Sequence, residues 1–198
     1  MASAEDVHAF WFGPQPATEP SLLRAKMQRW YEAGPAFDDQ IRKKFGADVE
    51  RALAGELDSW AATPSSRVSL IVVLDQFTRN IFRGTPRAFE GDKRAQHLAI
   101  EALESVLLYN HEERQFLIMP LLHAEDLALQ EMSVHEMEAH VEAAPEPLRA
   151  IYAEGLDRTR QYRDTIARFG RFPHRNAILG RPSTPEEEAA DTLSDVRR

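Results

Sequence analysis

Residues 70–92 read LIVVLDQFTRNIFRGTPRAFEGD, and this stretch decides the fold. It begins as a helix that is apolar on every side and then acquires a polar stripe. At 100° per residue, Asp75, Gln76, Arg79, Asn80 and Arg83 fall on one arc of roughly 140°. Leu70, Ile71, Leu74, Phe77, Ile81 and Phe82 take the opposite arc, and Val72 and Val73 cover the polar side one turn earlier. The polar groups therefore start inside the protein. Buried charges and amides are costly unless satisfied, so the stripe is either a closed hydrogen-bond network or a ligand site.

The rest of the chain extends the helical pattern. Ser3 suits the cap of a short helix carrying Val7, Phe10 and Trp11, and Thr18 that of a second carrying Leu22, Leu23, Met27 and Trp30. Pro35 fits the first turn of a third helix, and Val49, Leu53, Leu57 and Trp60 stripe a fourth. Ser65 or Ser66 is the expected cap of the central helix, which should end near Gly84. A helix from about Asp92 to Leu108 comes next, then an apolar stretch divided by Pro120. Ser133 with Glu136 has the spacing of a capping box. Pro145 and Pro147 open a long helix that ends at Gly170, FPHRNAILGR forms an ordered loop, and Ser183-Thr184-Pro185-Glu186 starts a terminal helix. No stretch alternates with period two for long enough to require a strand. The expectation is an all-α fold of antiparallel helix pairs in one domain over residues 1–198, with a frayed tail from about 188.

Composition excludes several classes of function. The 198 residues contain no cysteine, which removes disulfides, thiol nucleophiles and thiolate metal sites. A net charge of −8 opposes nucleic-acid binding. The run Leu70–Leu74 is far shorter than the roughly 20 residues of a membrane span, and the acidic N-terminus is unlike a secretory signal, so a cytoplasmic protein without membrane attachment is expected. There is no Walker motif, dinucleotide glycine pattern, Gly-x-Ser-x-Gly or His-Glu-x-x-His. A lone Glu5-x-x-His8 is no di-iron signature, so neither a cofactor nor a metal is expected.

Two further constellations accompany the helix face. Between Thr165 and Pro182, Arg168, Arg171, Arg175 and Arg181 occur with His174 and Asn176 and no acid. Guanidinium forks match carboxylate or phosphate, yet these arginines can equally pair with Asp75, Asp92, Glu125 or Asp126. In His123-Ala-Glu-Asp, His123, Asp126 and Gln130 would share a helical face, and a histidine held by a carboxylate is a competent general base. The same pairing also satisfies a half-buried histidine. The aromatic group Phe10-Trp11-Phe12 fits core packing or a docking patch.

Four segments carry a family resemblance: FWFG at Phe10–Gly13, LDQFTRNIFRGTPRAF at Leu74–Phe89, ERQFLIMPLLHAED at Glu113–Asp126 and FGRFPHRNAILGRPSTPEE at Phe169–Glu187. The chain resembles the bacterial domain of unknown function 924 family. That resemblance implies a tetratricopeptide-repeat-like right-handed array with degenerate repeats and no established activity. The matching polar positions are Asp75, Gln76, Arg79, Asn80, Arg83, His123, Glu125, Arg171, Arg175, Asn176 and Arg181. Tyr162 stands where relatives often have histidine, and the polar ending ADTLSDVRR replaces the apolar residues expected there.

From these residues we expect a helical binding or scaffold domain whose polar cluster takes a small anionic ligand or a carboxylate-bearing peptide. An enzyme, hydrolase or transferase, with His123 and Asp126 as acid/base and arginines stabilising negative charge, is the alternative. Asp75, Arg79 and Asn80 should lie beside the 169–181 loop, with Arg171, Arg175 or Arg181 within hydrogen-bond reach of Asp75 or Asp126 and His123 close by.

Overall fold

The computed structural model describes residues 1–189, and its described residues contain helices and turns but no strand. The helices are α1 (Ala4–Phe12), α2 (Pro20–Glu32), α3 (Gly34–Leu53), α4, α5 (Asp92–Leu103), α6 (His111–Leu122), α7 (Leu127–Ala143), α8 (Glu146–Phe169) and α9 (Pro185–Ala189). Central α4 runs in three continuous segments: Pro64–Val72, a π-helical turn at Val73–Phe77, and Thr78–Ile81. Helices of 5 to 24 residues offer no repeat unit of fixed length. None among the described residues is long and apolar enough to cross a membrane. The terminal ADTLSDVRR lies outside the described residues.

α4 packs against α1, α3, α5 and α6, which explains its all-round apolar start: every side meets another helix. Short connections turn α6, α7 and α8 into successive hairpins, and α8 also touches α2. The Phe10–Phe12 group belongs to the core. Trp11 is buried and packs edge-on against Phe77 and Phe116, while its ring stacks near Trp30.

Local chemistry accounts for the helix boundaries that differ from the sequence pattern. Thr63 rather than Ser65 or Ser66 caps α4, because Pro64 occupies the first helical position, where its missing N–H costs nothing. α2 starts at Pro20 for the same reason, behind Glu19 rather than Thr18. The expected third and fourth helices are one, α3, which ends at Leu53 before a 3₁₀ turn at Asp58–Ala62. α5 likewise ends at Leu103, short of a 3₁₀ turn at Val106–Leu108. Pro120 lies within α6, in its last turn, so only the bond to the Phe116 carbonyl is lost. Ser133 caps nothing: its hydroxyl donates to the Gln130 carbonyl inside α7, whose true N-cap is Asp126, accepting from the Leu129 N–H. Ser3 caps α1 as expected, and α8 ends at Gly170 with φ of 67°, a left-handed cap that directs the chain into the 171–184 loop.

Candidate functional site

The π turn buries Asp75 and Gln76 in the middle of α4, and π turns are frequent at functional sites. Asp75 is 1% exposed. Its carboxylate accepts from Gln76 Nε2 at 2.6 Å, and Arg79 Nη1 lies 3.1 Å away. Its main partner comes from the end of α6: His123 Nδ1 sits 2.8 and 3.1 Å from the two carboxylate oxygens. Burial pushes the Asp75 carboxyl up, but Arg79 and His123 more than reverse that and hold it well below the usual range. An ionised carboxylate only accepts, so His123 carries its hydrogen on Nδ1 and keeps a lone pair on Nε2. Burial, then Arg79, pushes the imidazole down against the pull of Asp75, so it is neutral at pH 7.

Arg79 continues the network, donating to the Asp75 carbonyl and, through both terminal nitrogens, to Asp92 at 2.8 and 3.0 Å. Asp92 sits at the start of α5, where Gly91 presses against the backbone of α4. A Cβ there would lie 2.2 Å from the Leu74 carbonyl oxygen.

The expected polar stripe divides at this point. Asn80 and Arg83 turn the other way, to Asp38 of α3, at 2.7 Å from Nδ2 and 2.7 and 3.0 Å from the guanidinium. Gln76 and Asn80 thus have separate partners instead of pairing with each other.

The 171–184 loop approaches from the other side, as the sequence suggested, but through different contacts. Arg175 donates from Nη1 to the His123 carbonyl at 3.0 Å and stands 4.0 Å from Asp92. Neither Asp75 nor Asp126 is its partner. The Arg175 guanidinium lies between two rings, 4.8 Å from the Phe89 centroid and 4.4 Å from that of Phe172. It is 6% exposed, and its Nε is buried with no hydrogen-bond partner. Burial, then Arg79, lowers its pKa to about 10. Arg181 grips Glu125 at 2.6 and 2.9 Å, and Glu125 also accepts the Phe172 N–H. Arg171 and Asn176 both donate to Glu187 of α9. The loop arginines are therefore largely paired, the structural role open to them from the sequence, and Arg175 is the least compensated.

Asp126 is placed apart. The chain bends between α6 and α7, so His123 caps the first helix and Asp126 the second, and they share no face. The buried Gln130 amide closes the end of α6 by donating to the Leu122 and Ala124 carbonyls at 2.7 and 2.8 Å.

Between α4, the end of α6, α8 and the loop lies a cleft of about 600 Å³. Arg79, Arg83, His123, Arg175 and Asn176 line it among the expected residues, and Phe89, Tyr162, His174 and Glu187 complete the walls. Burial and Arg175 take His174 down to about 4, so it too is neutral. Burial raises the Tyr162 phenol. Of the sequence candidates, Asp75 and Gln76 sit behind the wall as supports, while Arg171 and Arg181 brace the loop. Asp38, Phe89 and Tyr162 were not anticipated as site residues. Among the described residues, no group of three or more His, Asp or Glu is placed to hold a metal.

These features define an all-helical protein with a half-open cleft that combines a desolvated arginine with a carboxylate-held histidine. The chain belongs to the family described as bacterial protein of unknown function (DUF924), which it matches over residues 7–191. It is similar to the solved structure of a protein of unknown function from Agrobacterium tumefaciens, at 33% identity and a TM-score of 0.75 over 93% of this chain and 94% of that one. No functionally curated protein matches it.

Proposed function

We propose that the cleft binds a small molecule bearing a carboxylate or phosphate, with Arg175 as the cation that receives the anion. The observation that carries this reading is the state of Arg175: buried, stacked between Phe89 and Phe172, and with Nε unpartnered. Its nearest carboxylate, Asp92 at 4.0 Å, is already engaged by both terminal nitrogens of Arg79. A cation held out of water and weakly compensated draws an anion into the cleft that it lines. The cleft's size suits a small ligand, and its aromatic walls with a few polar groups match the usual make-up of such sites. A carboxylate-bearing peptide end is the same chemistry in a larger partner.

Thermal-shift and calorimetric titrations with short dicarboxylates, phosphorylated metabolites and nucleotides test the reading. Stabilisation by one anion class that disappears in Arg175→Met, where bulk between the rings is kept, is the expected result. A panel that shifts neither protein, or both equally, refutes it.

A further inference from the structure

We propose that the cleft is also catalytic, with His123 acting as general base in the hydrolysis of an acyl bond in a molecule anchored by its own carboxylate or phosphate. The inference rests on the anion-binding reading for the anchor, and on three independent features for the chemistry.

The first is the hydrogen bond that fixes the ring. Asp75, buried behind the wall, receives Nδ1–H at 2.8 Å and so leaves Nε2 as the basic nitrogen of a ring that lines the cleft. A histidine needed only for packing could be satisfied by a backbone carbonyl. Here a buried carboxylate is held in place by Gln76 and Arg79 to do it, at the desolvation cost that every buried charge carries. The same carboxylate stabilises the imidazolium that forms when Nε2 takes a proton, which makes Asp75 a positioning residue.

The second is the linkage to the anchor. Arg175 donates to the main-chain carbonyl of His123, so the residue that receives the anion adjoins the residue whose ring receives the proton. A ligand held by Arg175 therefore reacts within the same cleft that the imidazole lines.

The third is the choice of nucleophile. The chain has no cysteine, and the Ser183 hydroxyl in the cleft wall accepts from Asn176 Nδ2. Water is then the natural nucleophile. In the addition step, Nε2 takes a proton from water as the water oxygen bonds to the acyl carbon, and the carbonyl electron pair moves onto oxygen. Arg79 lines the same cleft and is the cation that already bears on the imidazole, and it faces the negative charge formed there. In the collapse step the bond to the leaving group breaks, and the imidazolium returns its proton to the leaving atom. Water is the only co-reactant, and the histidine ends as it began. The charged and titratable groups that act on the imidazole are Asp75 and Arg79 from α4 and His174 and Arg175 from the loop, while Tyr162 of α8 shares the cleft wall and Asp92 of α5 pairs with Arg79, so the pH profile reports that set.

The test uses 4-nitrophenyl hydrogen succinate as an ester with an anchoring carboxylate, 4-nitrophenyl acetate as one without, and succinic mono-4-nitroanilide as a stable binding probe. We expect the succinate ester to turn over faster than the acetate ester, with rate rising through one ionisation below neutrality. His123→Gln should lower turnover by about 10²-fold, a typical general-base contribution, with anilide binding retained. Asp75→Asn should lower kcat and move the pH profile, and Arg175→Met should raise KM. If a variant fails to fold, slower turnover by the wild-type protein in D2O keeps the proton-transfer step testable. Anilide binding with turnover no faster than in His123→Gln overturns catalysis and leaves the binding site standing. No anilide binding with His123-dependent turnover of either ester removes the anchor and keeps the base, whereas neither binding nor turnover overturns both.

Discussion

Arg79 and Asp92 meet through two contacts, at 2.8 and 3.0 Å, that fasten the end of α4 to the start of α5. Arg79 is at once a wall of the cleft, a neighbour of Asp75 and the rival of Arg175 for one carboxylate. Replacing it with alanine leaves two buried carboxylates without their cation, and we expect a loss of about 3 kcal/mol or more in denaturant unfolding. A double-mutant cycle with Asp92→Ala should give a coupling above about 1 kcal/mol. A loss below about 1 kcal/mol would show that the pair is not a structural joint.

Gly91 is required by space rather than by its backbone angles. Its φ of −84° is open to any residue, yet a Cβ would strike the Leu74 carbonyl. Gly91→Ala should cost about 1–3 kcal/mol by forcing α5 away from α4. The midpoint of unfolding should fall with an unchanged m-value. Because Asp92 is the next residue, anion binding should weaken in the same variant.

His140 sets an acid limit on stability. It lies among His111, Tyr152 and the nearby Arg114, with both ring nitrogens buried and unpartnered. Burial, with His111 and Arg114, takes it down to about 3 from an ordinary 6.5. Between those values the unfolded chain binds a proton that the folded one refuses. Its share of stability is therefore complete above pH 6.5 and falls as the pH drops toward 3. His140→Met should flatten the stability–pH curve by up to about 1.4 kcal/mol per pH unit in that window. His174 and His123 contribute with the same sign, so part of the slope remains. Equal slopes in the two proteins would rule His140 out as the source.

Glu125 pins the loop by accepting from Arg181 and from the Phe172 N–H. Glu125→Ala should speed hydrogen exchange at the Phe172 amide and across residues 171–182 while leaving α1–α3 protected. Weaker anion binding should accompany it, since Phe172 is one face of the Arg175 sandwich. Unchanged exchange at Phe172 would place the loop's stability elsewhere.

The helical class was legible because caps and 3.6-residue stripes succeed one another almost without interruption. Asp75 and Arg79 stood out as charges in a stretch too apolar to be surface. The partner of His123 was not legible, because Asp126 is close in sequence but beyond a bend, whereas Asp75 is 48 residues away. Asp38 was hidden for a related reason: α3 carries several charges, and only packing selects the one that meets Asn80 and Arg83. Phe89 falls in a loop and Tyr162 stands out only as a departure from a histidine position, since an aromatic beside a cation has the same local pattern as one beside leucine. The π turn escaped a periodicity that assumes 100° per residue, and with it the divergence of Arg79 from Asn80.

That turn makes the winding of α4 matter as much as its composition. Closing Val73–Phe77 into uninterrupted α-helix with all its residues kept would rotate the residues C-terminal to it by about 100°. Arg79 would swing off Asp92 and Asn80 off Asp38, although no side chain of the cleft had been altered. The helix works as a phase shifter, and the cleft exists because one count of residues brings two faces into step.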